Sequence, residues 1–146
     1  MSRFTPLRML LVLSAVAVLS LAGTSSAFAT SQTNTVADLT VSASLLSNGS
    51  NPDVATAGNW INVTGSVTNN GPGQWVRTFV STTGPLSFAP LDFGKLWYFP
   101  AGKTRGFNVW VPVYSFYPSG VYTLHVGGLD TASFDEVGAD ASIQIN

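Results

Sequence analysis

The chain has one histidine, His125, and no cysteine, so few side chains could serve as a general base or a nucleophile. A serine hydrolase needs a serine that hydrogen-bonds to the histidine and an acid that orients the ring. His125 alternates with Leu124 and Val126, so it faces solvent if those two side chains face the core. No Gly-x-Ser-x-Gly motif accompanies it. We therefore predict a surface histidine and no catalytic residue.

A second candidate is the acidic group Asp130, Asp135, Glu136 and Asp140, close to the C-terminus. Calcium prefers several carboxylate and carbonyl oxygens, which loops at the end of a β-sandwich can supply. The spacing of these acids matches no defined calcium loop. The sequence favours a solvated connection between the last two strands, and a calcium site is the alternative.

The third candidate is the aromatic content, which is high for a domain of this size. Aromatic side chains bury large areas, so most of them are expected in the core. Trp110 differs, because it alternates with Val109 and Val111 and faces outward if those valines are buried. With Tyr114 and Tyr117 nearby, it is predicted to form a flat patch. Such patches bind sugars or proteins, or are covered by an adjacent segment.

The elements that would position these residues show period-two alternation of apolar and polar residues, which is typical of half-buried strands. No segment of 30–146 has the apolar spacing of a helix over three turns. Strands are predicted over 39–45, 60–68, 74–81, 104–113, 121–126 and 139–145, with short apolar pieces between 86 and 99. The prediction is an all-β, two-sheet antiparallel immunoglobulin-like sandwich of about seven strands.

The stretch TAGNWINVTGSVTNNGPG, residues 56–73, joins a glycine-led turn, the clearest alternating strand and an Asn-Asn-Gly-Pro-Gly turn. Glycine, proline and asparagine supply the backbone conformations that tight turns require. Ile61, Val63 and Val67 of this strand are predicted to lie in the core.

The N-terminal 29 residues are predicted to be a cleaved signal peptide rather than part of the fold. Arg3 and Arg8 form a basic region, 9–22 is an apolar run, and Ala27-Phe28-Ala29 fits a cleavage site. The apolar run of about 14 residues is shorter than the roughly 20 that a membrane-spanning helix needs. We therefore predict a secreted protein with no transmembrane anchor, a flexible polar leader over 30–37 and one domain over 38–146.

The charge balance of residues 30–146 limits the partners that this domain could bind. Four basic residues stand against seven acidic ones, a net charge of −3. Nucleic-acid binding depends on a clustered basic surface, so a nucleic acid is not expected as partner. Without cysteine, the fold depends on packing and hydrogen bonds alone.

Four segments resemble the bacterial immunoglobulin-like repeat domains of surface and secreted proteins, including the cell-adhesion-related domain found in bacteria (CARDB). They are 37–41 (ADLTV), 57–72 with its Thr-Asn-Asn-Gly-Pro turn, 99–104 (FPAGKT) and 119–124 (SGVYTL). The resemblance places Tyr122 near a strand start, where it could form a tyrosine corner. It implies a non-catalytic spacer, adhesion or binding module. One departure is that 130–141 is acidic but lacks the asparagines usual in CARDB members.

These observations lead to a secreted adhesion or protein-interaction module at or outside the bacterial cell envelope. Its partner would be a protein or a cell-surface glycan. The alternative is a carbohydrate-binding module that uses Trp110 and Tyr114, and a third hypothesis is a small hydrolase. No cofactor is expected.

Overall fold

The computed structural model describes residues 30–85 and 95–146. The predicted signal peptide and most of the apolar pieces predicted from residue 86 onward lie outside the described residues. The described part of the chain is all-β, without a helix, and it has no helical segment that could cross a membrane. Its nine strands are β1 (Ser31–Val36), β2 (Leu39–Ser47), β3 (Val54–Ala55), β4 (Trp60–Asn69), β5 (Gln74–Thr83), β6 (Leu96–Phe99), β7 (Thr104–Pro112), β8 (Gly120–Asp130) and β9 (Glu136–Ile145).

The strands form two sheets. The four-stranded sheet has the order β1-β2-β4-β7, and the five-stranded sheet has the order β3-β9-β8-β5-β6. All strand pairs are antiparallel except β3 and β9, where Val54 and Ala55 run parallel to Gln144 and Ile145. The predicted all-β class is therefore confirmed, while the strand count and the wholly antiparallel pairing are corrected.

The core lies between the two sheets, where alternate residues of each strand are buried. Ile61 and Val67 are buried as predicted, and Val63 is half-buried against the same core. Most of the buried apolar side chains come from β2, β8 and β9, as expected when each strand buries one face. Apolar burial of this kind provides the main stabilisation of the fold.

Residues 30–37 correct a prediction, because they do not form a flexible leader. Residues 31–36 form β1, which pairs with β2 along its whole length. Its inward side chains are polar: Asn34 donates through Nδ2 to the carbonyl of Gly138 at 2.6 Å, and Gln32 Oε1 accepts from the amide of Asp140 at 2.6 Å. These side chains satisfy backbone groups of β9. The strand was missed because its inward residues are not apolar.

The turn into β8 is held by Tyr122, which is buried near the strand start. Its hydroxyl donates to the carbonyl of Pro118 at 2.9 Å, four residues upstream. This is the backward hydrogen bond that defines a tyrosine corner. Burial raises the pKa of the Tyr122 phenol, and the neighbouring Tyr117 raises it further.

The variant Tyr122→Phe is expected to lose about 1 kcal/mol of unfolding free energy at neutral pH, because the hydrogen bond to Pro118 is lost. A raised pKa in the folded state means that stability is retained below the ordinary tyrosine pKa, about 10, and lost as the pH rises beyond it. The difference between wild type and variant should therefore narrow above about pH 10. Urea unfolding at two pH values measures it.

The control for this prediction is Tyr114→Phe, because Tyr114 is exposed. It should leave the unfolding free energy unchanged at neutral pH. A difference between wild type and Tyr122→Phe that stays constant from neutral pH to above about pH 10 would contradict the role assigned to the buried phenol.

Candidate binding surface

His125 lies on the outer face of the five-stranded sheet, as its alternation predicts, with its side chain about one-third exposed. Its Nδ1 lies 2.5 Å from Oδ1 of Asp140 on β9. The imidazole stacks on Phe79 with the ring centres 5.7 Å apart. The histidine is thus fixed by an acid on one side and by an aromatic ring on the other.

Strand register places Ser81, His125 and Asp140 in one row across β5, β8 and β9. No local sequence pattern indicates this row, because its members come from three distant segments. The imidazole of His125 lies over Gly138 of β9. A Cβ atom added at Gly138 would lie 2.7 Å from Cε1 and 3.2 Å from Nε2 of His125. Ser81 is on β5, on the other side of β8. A serine nucleophile needs its hydroxyl at the base nitrogen, and this ring is turned away from it.

The four acids proposed as a calcium site have different surroundings. The carboxylate of Asp130 stabilises the β8–β9 turn. It accepts hydrogen bonds from the amide of Ala132 at 2.9 Å and from Ser133 Oγ at 2.8 Å. The carboxylate of Asp140 binds His125 instead. Across 30–85 and 95–146, no three His, Cys, Asp or Glu side chains form a group suited to a metal ion. The four acids, which include Asp135 and Glu136, therefore do not form one calcium site in the described residues.

Two of the three residues of the predicted aromatic patch, Tyr114 and Tyr117, contact each other in the structure. Tyr114 stacks on Phe116 with ring centres 5.3 Å apart, and Tyr117 meets both rings edge-on. Tyr117 is half-buried and packs against the core, so it supports this trio rather than extending an exposed surface. Trp110 is 54% exposed on the outer face of the four-stranded sheet.

More aromatic side chains are exposed than the sequence predicted. Trp60 is 45% exposed and shares the outer face of the four-stranded sheet with Trp110. Trp75, as exposed as Trp110, contacts Tyr98 on the outer face of the other sheet, with ring centres 5.6 Å apart. Trp60 is the first residue of its strand and alternates with Ile61, which is predicted to be buried. This alternation indicates that Trp60 faces outward.

Trp60 and Trp110 lie at one end of a broad polar surface, which we call the hydroxyl face. It comprises the outward residues of the four-stranded sheet. These are Ser31, Thr33 and Thr35 of β1, Thr40, Ser42, Ser44 and Leu46 of β2, Trp60, Asn62, Thr64, Ser66 and Thr68 of β4, and Thr104, Gly106, Asn108, Trp110 and Pro112 of β7.

Register aligns the small polar side chains of this face into rows across the strands. One row is made of four threonines, one from each strand: Thr35, Thr40, Thr68 and Thr104. The hydroxyls of the first two lie 2.8 Å apart, and so do those of the last two. Cross-strand pairs of this kind stabilise a sheet and fix the side chains.

The next rows repeat the pattern. Ser42 Oγ lies 2.7 Å from Ser66 Oγ, and Ser31 Oγ lies 2.8 Å from Ser44 Oγ. Each hydroxyl can donate one hydrogen bond and accept two, so a paired hydroxyl keeps some capacity for an outside ligand. The hydroxyl face is therefore an ordered array of hydroxyl groups that can still form hydrogen bonds with a ligand.

Charge distinguishes the two outer surfaces of the molecule. No Asp, Glu, Lys, Arg or His takes an outward position on β1, β2, β4 or β7, all four of which are described in full. Arg105 of β7 points inward, with Cζ 4.2 Å from the centre of the Trp97 ring. The outer face of the other sheet carries Arg77, His125 and Asp140. The hydroxyl face is therefore uncharged over its whole width.

No protein-family model and no curated protein sequence matches this chain. Among solved structures, the chain is similar to Pseudomonas fluorescens alkylpurine DNA glycosylase AlkC bound to DNA containing an abasic site analog, with 14% identity and a TM-score of 0.48. It is also similar to β-glucosidase from Listeria innocua in complex with gluconolactone, with 13% identity and a TM-score of 0.38. The matches cover 75% and 74% of this chain but 31% and 16% of those chains. They carry no functional argument.

Proposed function

We propose that this chain is an exported, non-catalytic immunoglobulin-like β-sandwich that attaches to a partner at or outside the cell envelope. The hydroxyl face is its attachment surface. The observation that carries this proposal is an open sheet face, uncharged over four strands, with Trp60 and Trp110 exposed at one end. Exposed tryptophans set in a rigid surface are frequent anchors of binding.

Three further features support the proposal. The N-terminal pattern is that of an exported protein. The hydrogen bond from Tyr122 to Pro118 and the resemblance to CARDB domains fit an immunoglobulin-like module that binds rather than catalyses. The imidazole of His125 is turned away from Ser81, an arrangement that favours a structural role over a hydrolytic one.

The test is retention of the full chain on the insoluble envelope material of a bacterial host that produces it. Wild type is expected to sediment with this material, and Trp110→Ala should shift at least about tenfold more protein into the soluble fraction, the equivalent of about 1.4 kcal/mol. Trp75→Ala is the matched control, because that tryptophan is equally exposed on the opposite sheet. Its retention should equal that of wild type.

Two outcomes would contradict the proposal. One is wild-type protein that does not sediment with envelope material. The other is retention that depends on Trp75 as strongly as on Trp110. Thermal unfolding of both variants verifies that each remains folded, since neither side chain is buried.

A further inference from the structure

The chemistry of the hydroxyl face restricts its partner, provided that this face is the attachment surface proposed above. A charged ligand laid on this surface would lose hydration without gaining an opposite charge, which is costly. In the adjoining turns, Asp38 and Lys103 lie at the end opposite the tryptophans, and Asp53 lies in the β2–β4 connection at the tryptophan end, outside the face itself. The face is therefore suited to an uncharged ligand.

The combination of groups on the face restricts the partner further. Serine, threonine and asparagine side chains donate and accept hydrogen bonds, while Trp60 and Trp110 present flat apolar rings. The two tryptophans are diagonal neighbours across β4 and β7, a relation in which residues typically lie about 7 to 8 Å apart. A ligand that matches both has apolar ring faces and hydroxyl-bearing edges. Pyranose rings have that construction, whereas a protein partner would normally offer a larger apolar centre.

The shape of the surface indicates how the sugar is presented. Binding sites for small molecules are concave and enclose their ligands. The hydroxyl face is instead a sheet surface about 14 Å across its four strands, given a strand spacing of about 4.8 Å. A surface of this width can contact sugar rings on several adjacent polysaccharide chains at once, which a single oligosaccharide chain cannot provide.

The hydroxyls are also fixed before any ligand arrives. The pairs Ser42–Ser66 and Thr68–Thr104 are joined at 2.7 and 2.8 Å, and Asn62 Nδ2 donates to Asn108 Oδ1 at 2.7 Å. Side chains that are already ordered lose little conformational entropy on binding. Many weak hydrogen bonds from such an ordered array can therefore add up to useful affinity.

From these observations we propose that the hydroxyl face binds an uncharged, insoluble polysaccharide. Trp60 and Trp110 stack on sugar rings, and the serine and threonine rows hydrogen-bond to sugar hydroxyls. This inference deepens the proposed function by naming the chemical class of the partner.

The experiment measures depletion of the full chain from solution by microcrystalline cellulose, chitin and insoluble β-1,3-glucan, with calcium-linked polygalacturonate as the charged comparison. We expect binding to at least one of the three uncharged solids and at least about tenfold weaker binding to the charged one. Raising NaCl from about 0.05 M to about 1 M should change the affinity less than twofold, because no charge pair is there to be screened.

Variants locate the site. Trp60→Ala and Trp110→Ala should each weaken binding at least about tenfold, and Ser66→Lys, which places a charge in the middle of the face, should abolish it. The matched controls are Trp75→Ala and Ser81→Lys on the outer face of the other sheet, and both should bind like wild type. Thermal unfolding of each variant verifies its fold.

The inference is overturned if none of the three uncharged solids depletes the protein, if salt removes the binding, or if the controls lose as much affinity as the face variants. Envelope retention that depends on Trp110 without any polysaccharide binding would overturn this inference and leave the proposed function standing. If the protein neither sediments with envelope material nor binds a polysaccharide, the proposed function is rejected as well.

Discussion

Replacing Asn69 by alanine is expected to lower the free energy of unfolding by about 3 to 4 kcal/mol. Asn69 is fully buried at the end of β4. Its Nδ2 donates to the carbonyls of Pro72 at 2.6 Å and Phe99 at 3.1 Å, and its Oδ1 accepts from the amide of Gly71 at 3.0 Å. Alanine would remove one buried hydrogen bond, to Phe99, and two part-buried ones, and a buried polar group left unpaired costs about 1 to 3 kcal/mol. Urea unfolding measures the loss.

The neighbouring Asn70 provides the matched control. It is exposed and donates one side-chain hydrogen bond, to Thr40 Oγ1 at 2.8 Å. Asn70→Ala should therefore change stability by no more than about 0.5 kcal/mol. The near-isosteric Asn69→Asp, which replaces the donor with an acceptor, should be destabilised about as much as Asn69→Ala. Equal costs at positions 69 and 70 would contradict the central role of Asn69.

Replacing Gly65 by alanine is expected to cost about 2 kcal/mol, although alanine is usually preferred to glycine in a strand. Gly65 is buried in the middle of β4. A Cβ there would lie 2.6 Å from Cζ of Phe107 and 2.8 Å from Cγ2 of Val126. Forcing additional atoms into a packed core typically costs about 1 to 3 kcal/mol. Chemical denaturation with an unchanged m-value is the expected result.

A double variant tests the reason for this loss. Phe107→Leu removes the ring atoms that a Cβ at position 65 would meet, so Gly65→Ala should cost at least about 1 kcal/mol less in that background. Strictly additive effects of the two substitutions would show that the contact with Phe107 does not explain the role of Gly65.

The strands of this protein were largely predictable because their alternation is local. Over most of β2, β4 and β9, apolar inward residues alternate with polar outward residues, so the phase of each strand was evident. Tyr122 was also located in advance, since its hydrogen bond spans four residues of sequence. An interaction can be predicted from the sequence when the two interacting residues are close along the chain.

Two strands escaped prediction for different physical reasons. β1 has polar inward residues, because Gln32 and Asn34 bond to the backbone of β9 rather than to an apolar core. β3 has two residues, which is too short for a periodic pattern to appear. The side-chain bonds from β1 to β9 and the pairing of β3 with β9 join residues more than 80 positions apart along the chain.

For the candidate binding surface too, local features were predictable and features that depend on distant segments were not. Alternation with Val109 and Val111 correctly indicated that Trp110 is exposed, but the grouping of Trp110 with Tyr114 and Tyr117 was incomplete. Tyr117 packs against the core, and Trp60 from a different strand shares the face with Trp110. Which aromatic residues share a surface depends on strand register, and register is a property of the assembled sheet.

The amino-acid sequence by itself determined the all-β class, the phase of the long strands and the separation of apolar from polar residues, because these follow from local conformation and side-chain chemistry. Only the tertiary structure decided that serines and threonines from four distant segments form aligned rows, and that Ser81, His125 and Asp140 share one row on the other sheet. Hydrogen bonding between strands sets that alignment, and a shift of one residue would turn every side chain to the opposite face.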